Sequence, residues 1–531
     1  MDSIARHILS LSRRGLLRGA TAAAALAAIT PAARGQTPHR FTSDPFTLGV
    51  ASGDPWPDGF VIWTRLAPEP LTGGGLPRAA IAVTWEVAED EGFGRIVAQG
   101  LALARPELGH SVHVEVGGLP PGRPFFYRFR ADGAESRVGR SRTAPALDAL
   151  PARLRIVSAG CQHYEVGFFT AWRHIAEEPE LDLVAHYGDY IYEYAARPEG
   201  TGRPPVVRSH RGLEIHTLED YRARHALYRL DPDLQAAHAA HPFVMSFDDH
   251  EVDNNWAGAI SEEDGKGRFP VAVPPEIFAL RKQAAFQAWY EAMPVRRAQL
   301  PAGPAITAWR GLRWGRLADL AVLDTRSHRD DQPCGDVTGP PCAAVANPAA
   351  QVLGPAQEEW LMRRLAGSDA TWKVLAQQVP MMPRDLGAES SAISMDKWDA
   401  YPAARARLLN HIAEARVTGV TVLTGDVHNA WTGRIHRDPA DPNSPVVAHE
   451  FIATSITSGG DGSDTLPGTA RMLARNPHVA MFNNRRGYTV LEARPEAMEA
   501  RFRALPHVSR AGAPVADAAR FTLAEGRLHR G

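Results

Sequence analysis

The sequence predicts a multidomain chain: an N-terminal β-sandwich over residues 41–143, then a larger α/β domain of layered α-β-β-α type over residues 150–525. Three observations carry this expectation. A chain of 531 residues is too long for one ordinary core. Residues 41–143 hold short alternating segments separated by turn residues, with no helical stretch. After about residue 150 the rhythm changes to strand, loop and helix.

Ahead of both domains stands Ser12-Arg13-Arg14-Gly15-Leu16-Leu17, followed by an Ala-rich segment to about Ile29 and small residues near Ala33-Arg34-Gly35. Paired arginines before a weakly apolar run are the pattern of a twin-arginine export signal, so residues 1–35 are set aside from fold reasoning. That reading makes the twin-arginine export machinery a partner and predicts a periplasmic or extracellular location. No other segment has 18 uninterrupted apolar residues, so no transmembrane segment is expected. Removing the signal takes away five arginines against one aspartate and lowers the formal net charge from −2 to −6. This balance gives no support for a nucleic-acid partner. Of the three cysteines, Cys334 and Cys342 lie eight apart in a Gly-, Pro- and Asp-rich loop. In an oxidising compartment their pairing is the economical reading, which leaves Cys161 as the odd thiol.

Within the first domain, residues 59–64, 81–87, 110–116 and 125–130 alternate as strands. The turn Gly117-Gly118-Leu119-Pro120-Pro121-Gly122 before the aromatic strand is similar to the fibronectin type III arrangement. Residues 144–152, rich in Ala, Pro and Leu, read as a linker. In the second domain, strands are expected at 154–158, 181–186, 243–247, 317–323 and 417–424. Helices are expected at 168–178, 218–228 and 276–292.

Four polar clusters follow apolar strands there: Ser158-Ala159-Gly160-Cys161-Gln162-His163, His186-Tyr187-Gly188-Asp189-Tyr190-Ile191-Tyr192-Glu193, residues 246–256 with Asp248-Asp249-His250-Glu251, and Gly425-Asp426-Val427-His428. A parallel or mixed sheet brings such ends to one rim. Asp189 and Tyr192, three positions apart beyond a strand end, can converge on one hard metal ion. The thiol of Cys161, the phenol of Tyr192 and the imidazole of His428 suit a Lewis-acidic transition ion such as Fe3+. Asp248, Asp249, Asn254 and Asp426 offer the hard oxygens that Ca2+, magnesium or manganese prefer. Asp189, with two oxygens, could bridge the two kinds of ion. Asp248 could instead orient His250 without touching a metal. Arg326, after the apolar run 317–323, has a planar fork suited to phosphate, and a structural ion pair to neighbouring aspartates is an equal alternative.

Gly188-Asp189-x-x-Tyr192, Asp249-His250-Glu251 and Gly425-Asp426-x-His428 resemble the metal-binding blocks of purple acid phosphatases and their metallophosphoesterase relatives. The fuller wording resembles the alkaline phosphatase D (PhoD-like) family. It includes Cys161-Gln162, residues 323–326 (Leu-Asp-Thr-Arg), 372–378 (Trp-Lys-Val-Leu-Ala-Gln-Gln) and 454–460 (Thr-Ser-Ile-Thr-Ser-Gly-Gly). These blocks span about residues 45–490. The resemblance implies Fe3+ held by Cys161, Asp189, Tyr192 and His428, and Ca2+ held by Asp189 as bridge with Asp249, Asn254 and Asp426. It also implies a phosphoester substrate, hydrolysed as a monoester or diester by a metal-activated hydroxide or oxide, with His250 or Arg326 stabilising charge on the phosphoryl group. Asp249 departs from the wider superfamily, which carries Asn before His-Glu, and the extra charge favours calcium. A phospholipase D-like phosphodiesterase acting on lipid headgroups is the nearest rival, and a binding protein with a non-catalytic metal is a rival of another class.

Overall fold

Period-two alternation assigns the faces of the central strands. In Leu154–Ala159, Leu154 and Ile156 join one buried cluster while Val157 and Ala159 join another. The same split separates Leu183 and Ala185 from Val184, and Val244 from Phe243 and Met245. On the other side of the shared cluster, Leu320 and Val322, Val374 and Leu423 meet the first set. Ala321, Leu375, Val420 and Val422 turn to a third cluster with helices Pro355–Gly367 and Pro402–Glu414. Helices Thr170–Ala176, Leu218–Arg229, Pro232–Ala240 and Pro275–Ala292 contribute to the cluster containing Val157 and Val184.

These relations come from a computed structural model, which describes residues 40–531 apart from 267, 268 and 388. The expected export signal lies outside the described residues. Residues Ser43–Gly531 make one compact unit. Strands Leu154–Ala159, Leu183–His186 and Pro242–Met245 run parallel in that order. Ala318–Val322, Trp372–Ala376, Val420–Thr424 and Val446–Ile452 form a second parallel run. The 15-residue strand Val479–Ala493 extends both sheets and runs antiparallel to its neighbours. Its residues 489–493 pair antiparallel with Leu154–Ala159, and its residues 479–483 pair with Ala430–His436.

The strands read from the N-terminal segment divide between two sheets. Ile81–Ala88, Ile96–Ala104, Pro124–Ala131, Ala134–Glu135 and Gly139–Arg142 form an antiparallel five-stranded sheet. Val50–Trp56, Gly59–Arg65 and Ser111–Val116 instead extend the large sheet, because Val50–Trp56 pairs parallel with Pro242–Met245. This junction is fixed by polar contacts as well. The Arg310 guanidinium lies 2.7 Å from Asp54 Oδ1, and Trp63 Nε1 donates to the Glu291 carbonyl at 2.9 Å. The expected boundary near residues 144–152 is thus bridged by strand pairing, a relation between residues about 190 apart that local spacing does not encode.

The expected helices are present over Thr170–Ala176, Leu218–Arg229 and Pro275–Ala292, the second opened by a Thr217–Asp220 capping box. Pro232–Ala240, Pro355–Gly367 and Pro402–Glu414 were not among the expected helices. Each begins with proline, whose fixed φ and missing N–H suit the first helical position.

Candidate metal centre

The three adjacent parallel strands deliver their C-terminal ends to one rim, and the second run adds the loop after Thr424. The chain turns sharply there. Gly188 has φ 127, and a Cβ at this position would lie 2.4 Å from the Asp248 amide nitrogen, so only glycine permits the approach of the two loops. Four non-glycine residues of the expected site adopt left-handed backbone: Cys161 at φ 51, Asp189 at 56, Asp426 at 66 and His428 at 57. Such conformations cost free energy and persist where the surrounding structure over-determines them, often at functional sites.

The side chains form three overlapping groups, each with donor atoms within 4.8 Å of one another: Cys161, Asp189 and His428; Asp189, Asp249 and His250; Asp248, Asp249 and Asp426. Asp189 and Asp249 are the shared members, which makes a continuous line of donors. The Tyr192 hydroxyl donates to Asp189 Oδ2 at 2.8 Å and lies 3.3 Å from His428 Nε2 and 2.6 Å from Ser458 Oγ. Tyr192 therefore meets the first group, as its spacing from Asp189 predicted.

One oxygen each of Asp189, Asp248 and Asp249 is buried and lacks a hydrogen-bond partner. Buried carboxylate oxygens are normally satisfied, and three orphans facing a shared cluster are what a cation-binding donor set presents. Burial, with neighbouring carboxylates, raises the affinity of Asp189 and Asp248 for protons. Burial acts on Asp249 in the same sense, but Arg326 and His250 outweigh it and hold that carboxyl below the usual range. The thiol of Cys161 and phenol of Tyr192 are pushed well up by burial and by Asp189. The soft donors stay protonated without a strong Lewis acid, and the mixed chemistry fits one transition-type ion beside hard cations.

Several supporting residues were not singled out from sequence. Glu251 Oε2 accepts from the backbone amides of Asp189 at 3.1 Å and Asp248 at 2.9 Å, and its Oε1 accepts from Tyr190 at 2.7 Å. One carboxylate thus ties the Asp189 and Asp248 loops together. Glu193 accepts from the His250 ring at 2.7 Å and from the Asn254 amide at 2.9 Å. His250 also stacks on Tyr192, with centroids 4.0 Å apart. Burial alone would favour neutral imidazole, but Glu193, Asp249 and Asp189 raise its proton affinity well above normal. Glu193 and Glu251 ended motifs already visible in the sequence and Ser458 lies in the 454–460 block, whereas Asp396 and Lys397 arrive from a loop that carried no signal.

Arg326 is completely buried. Its Nε donates to Asp248 at 2.6 Å, and its fork donates to Asp396 at 2.7 and 2.9 Å. Of the two alternatives, this is the geometry of the ion pair: Arg326 positions Asp248. Lys397 donates to Asp396 at 2.7 Å and also pairs with Asp426. Asn254 stands beside the donor line, with its side-chain amide donating to Glu262 at 2.5 Å. Its neighbour Asn255 donates from the backbone to Asp249 at 2.9 Å and from the side chain to Asp336 at 2.7 Å. Asp336 lies in the loop closed by the Cys334–Cys342 disulfide, while Cys161 is free and buried.

The chain matches the family model described as PhoD-like phosphatase over residues 156–502. A second model, PhoD-like phosphatase N-terminal domain, matches residues 31–145. Alkaline phosphatase D of Bacillus subtilis (strain 168) is 47% identical over 482 residues, which cover 91% of this chain and 81% of that protein. A solved structure titled "Structure of PhoD" superposes with a TM-score of 0.89 at 45% identity, covering 93% of each chain. With the strand-end donors in place and both models matched along their length, the chain belongs to the PhoD-like phosphatase family.

Proposed function

We propose that the protein is a metal-dependent alkaline phosphatase hydrolysing phosphate monoesters, diesters or both. The observation that carries this reading is the line of donors from Cys161 through Asp189 to Asp249 and Asp426, with three orphaned carboxylate oxygens along it. In this reading Cys161, Asp189, Tyr192 and His428 hold Fe3+. Asp189, Asp249, Asn254 and Asp426 would hold Ca2+, with Asp248 as a further candidate. When bound, the paired cations supply Lewis acidity that stabilises charge on the entering and leaving oxygens of the phosphoryl group.

The chain's own residues then have distinct tasks. His250, oriented by Glu193, stands with a ring nitrogen within 4.8 Å of Asp189 and Asp249 donor oxygens and offers a proton or positive charge to a phosphoryl oxygen. Glu251 keeps the Asp189 and Asp248 loops at fixed separation. Arg326 and Lys397 hold Asp248 and Asp426 in a fixed orientation. Residues 41–143 are read as a fibronectin type III-like β-sandwich and residues 150–525 as an α-β-β-α layered catalytic domain. Export by the twin-arginine route to the periplasm or beyond follows from residues 1–35; among the described residues no helix is long and apolar enough to cross a membrane.

Metal analysis of the purified protein, with rates on nitrophenyl phosphate and bis-nitrophenyl phosphate before and after calcium chelation, tests the proposal. Iron and calcium in the protein and loss of turnover on chelation are expected. Full turnover in a chelated, calcium-free sample would overturn it, and a strong preference for the diester would move the reading to the phosphodiesterase alternative.

A further inference from the structure

A cleft of about 420 Å³ opens beside the loop that carries Asp426 and His428. Val427 and Asn429 of that loop line it, as does Lys397, which pairs with Asp426. Its lining also has an apolar part, from Leu466, Met472 and Phe482. Leu466 is 44% exposed at the mouth. Met472 and Phe482 are partly buried against the neighbouring core.

Arg384 is the one deeply buried arginine that this lining contains. It is 2% exposed, and its Nε and Nη2 have no hydrogen-bond partner. Its guanidinium carbon lies 5.4 Å from the centre of the Trp431 ring, which supports it from one side. Burying a guanidinium with unfilled donors is costly unless an acceptor arrives, and a planar fork of N–H groups matches a carboxylate or phosphate. The structure therefore sets an unfilled cationic fork in a cleft with an apolar wall, beside the loop of the proposed metal ligands.

We propose that this cleft is the subsite for the alcohol part of the phosphoester, and that Arg384 binds a second oxyanion carried by that alcohol. The inference rests on the phosphoesterase reading and adds the substrate class: esters whose alcohol has an apolar or ring-shaped body and a carboxylate or second phosphate at its far end. The apolar wall accounts for the body, and Arg384 for the distal charge.

The test uses the metal-loaded full protein and three substrates: phenyl phosphate, para-carboxyphenyl phosphate and the neutral para-carbamoylphenyl phosphate. The quantity read is the ratio of kcat/KM for the carboxylate over the amide, compared between wild type and Arg384→Gln, so that differences in leaving-group chemistry cancel. Wild type is expected to favour the carboxylate by roughly tenfold more than the variant does, as one charge-assisted hydrogen bond provides. Arg384→Lys should recover part of the preference. An equal ratio in wild type and Arg384→Gln overturns the subsite. If Arg384→Gln does not fold, Leu466→Glu at the exposed mouth decides: a several-fold fall in the ratio supports the proposal, and an unchanged ratio overturns it. Failure of the wild type to hydrolyse phenyl phosphate overturns the phosphoesterase reading itself, and the subsite with it, which separates the two failures.

Discussion

The two ends of the donor line solve the problem of buried charge differently. Around Cys161, Tyr192 and His428 the donors are soft or aromatic and are held by hydroxyls and backbone; Ser458 Oγ, for example, lies 2.6 Å from the Tyr192 oxygen and donates to the Cys161 carbonyl at 2.8 Å. Around Asp248, Asp249 and Asp426 the protein supplies its own cations, Arg326 and Lys397, anchored on Asp396. At the first end the Cys161 thiol and the Tyr192 phenol must give up protons when an ion binds; at the second, Asp249 is already held below the usual carboxylate range. Cation affinity at the two ends should thus differ in its dependence on pH and on the surrounding side chains.

Removing the shared member should collapse the distinction. Asp189→Asn is expected to lower kcat/KM by roughly 1000-fold or more, the loss of several kcal/mol of charge stabilisation, and to deplete both metals in elemental analysis. Retention of either metal at full occupancy would show that the ends are independent.

Glu251→Ala tests whether one carboxylate couples them. It leaves three buried backbone donors without an acceptor, so a loss of about 3–5 kcal/mol is expected in chemical denaturation of the metal-free protein.

Arg326→Met should act on the hard end alone. A fall of roughly 10–100-fold in calcium affinity, read by titration, is expected with iron content unchanged. Equal loss of iron would break the comparison. Tyr192→Phe is the converse and the mildest change: phenolate-to-iron visible absorption should vanish while calcium content stays, with about a tenfold fall in turnover. An unchanged spectrum would remove Tyr192 from the ligand set.

Much of this candidate centre was readable because its donor residues sit directly after apolar strands. Residues 181–185, 317–323 and 417–424 announce buried strands, and the polar residues that follow must then fall at a rim. The role of Arg326 was undecided because it depends on Asp396, 70 residues downstream, which no local pattern links to it. Glu251 was visible as the end of Asp-His-Glu, but its task lies in accepting amides from a loop about 60 residues away. Arg384 gave no signal at all: its meaning comes from the partners it lacks. Helices at Pro232, Pro355 and Pro402 did carry a local signal, proline at the first helical position, that hydrophobic periodicity alone passes over. The joining of the N-terminal strands to Pro242–Met245 is a long-range pairing, set by burial rather than by spacing.

The shared strand Val479–Ala493 also sets how late in synthesis two sheet edges can be paired. It closes the sheet edge beside Leu154–Ala159, the strand that leads to Cys161, and it flanks Ala430–His436, the strand that follows His428. Neither edge is paired until the ribosome has released about residue 493, and contacts over more than 300 residues are slow to form. Assembly of the donor line is then a late event in the life of the chain, completed after synthesis has passed the last of its loops.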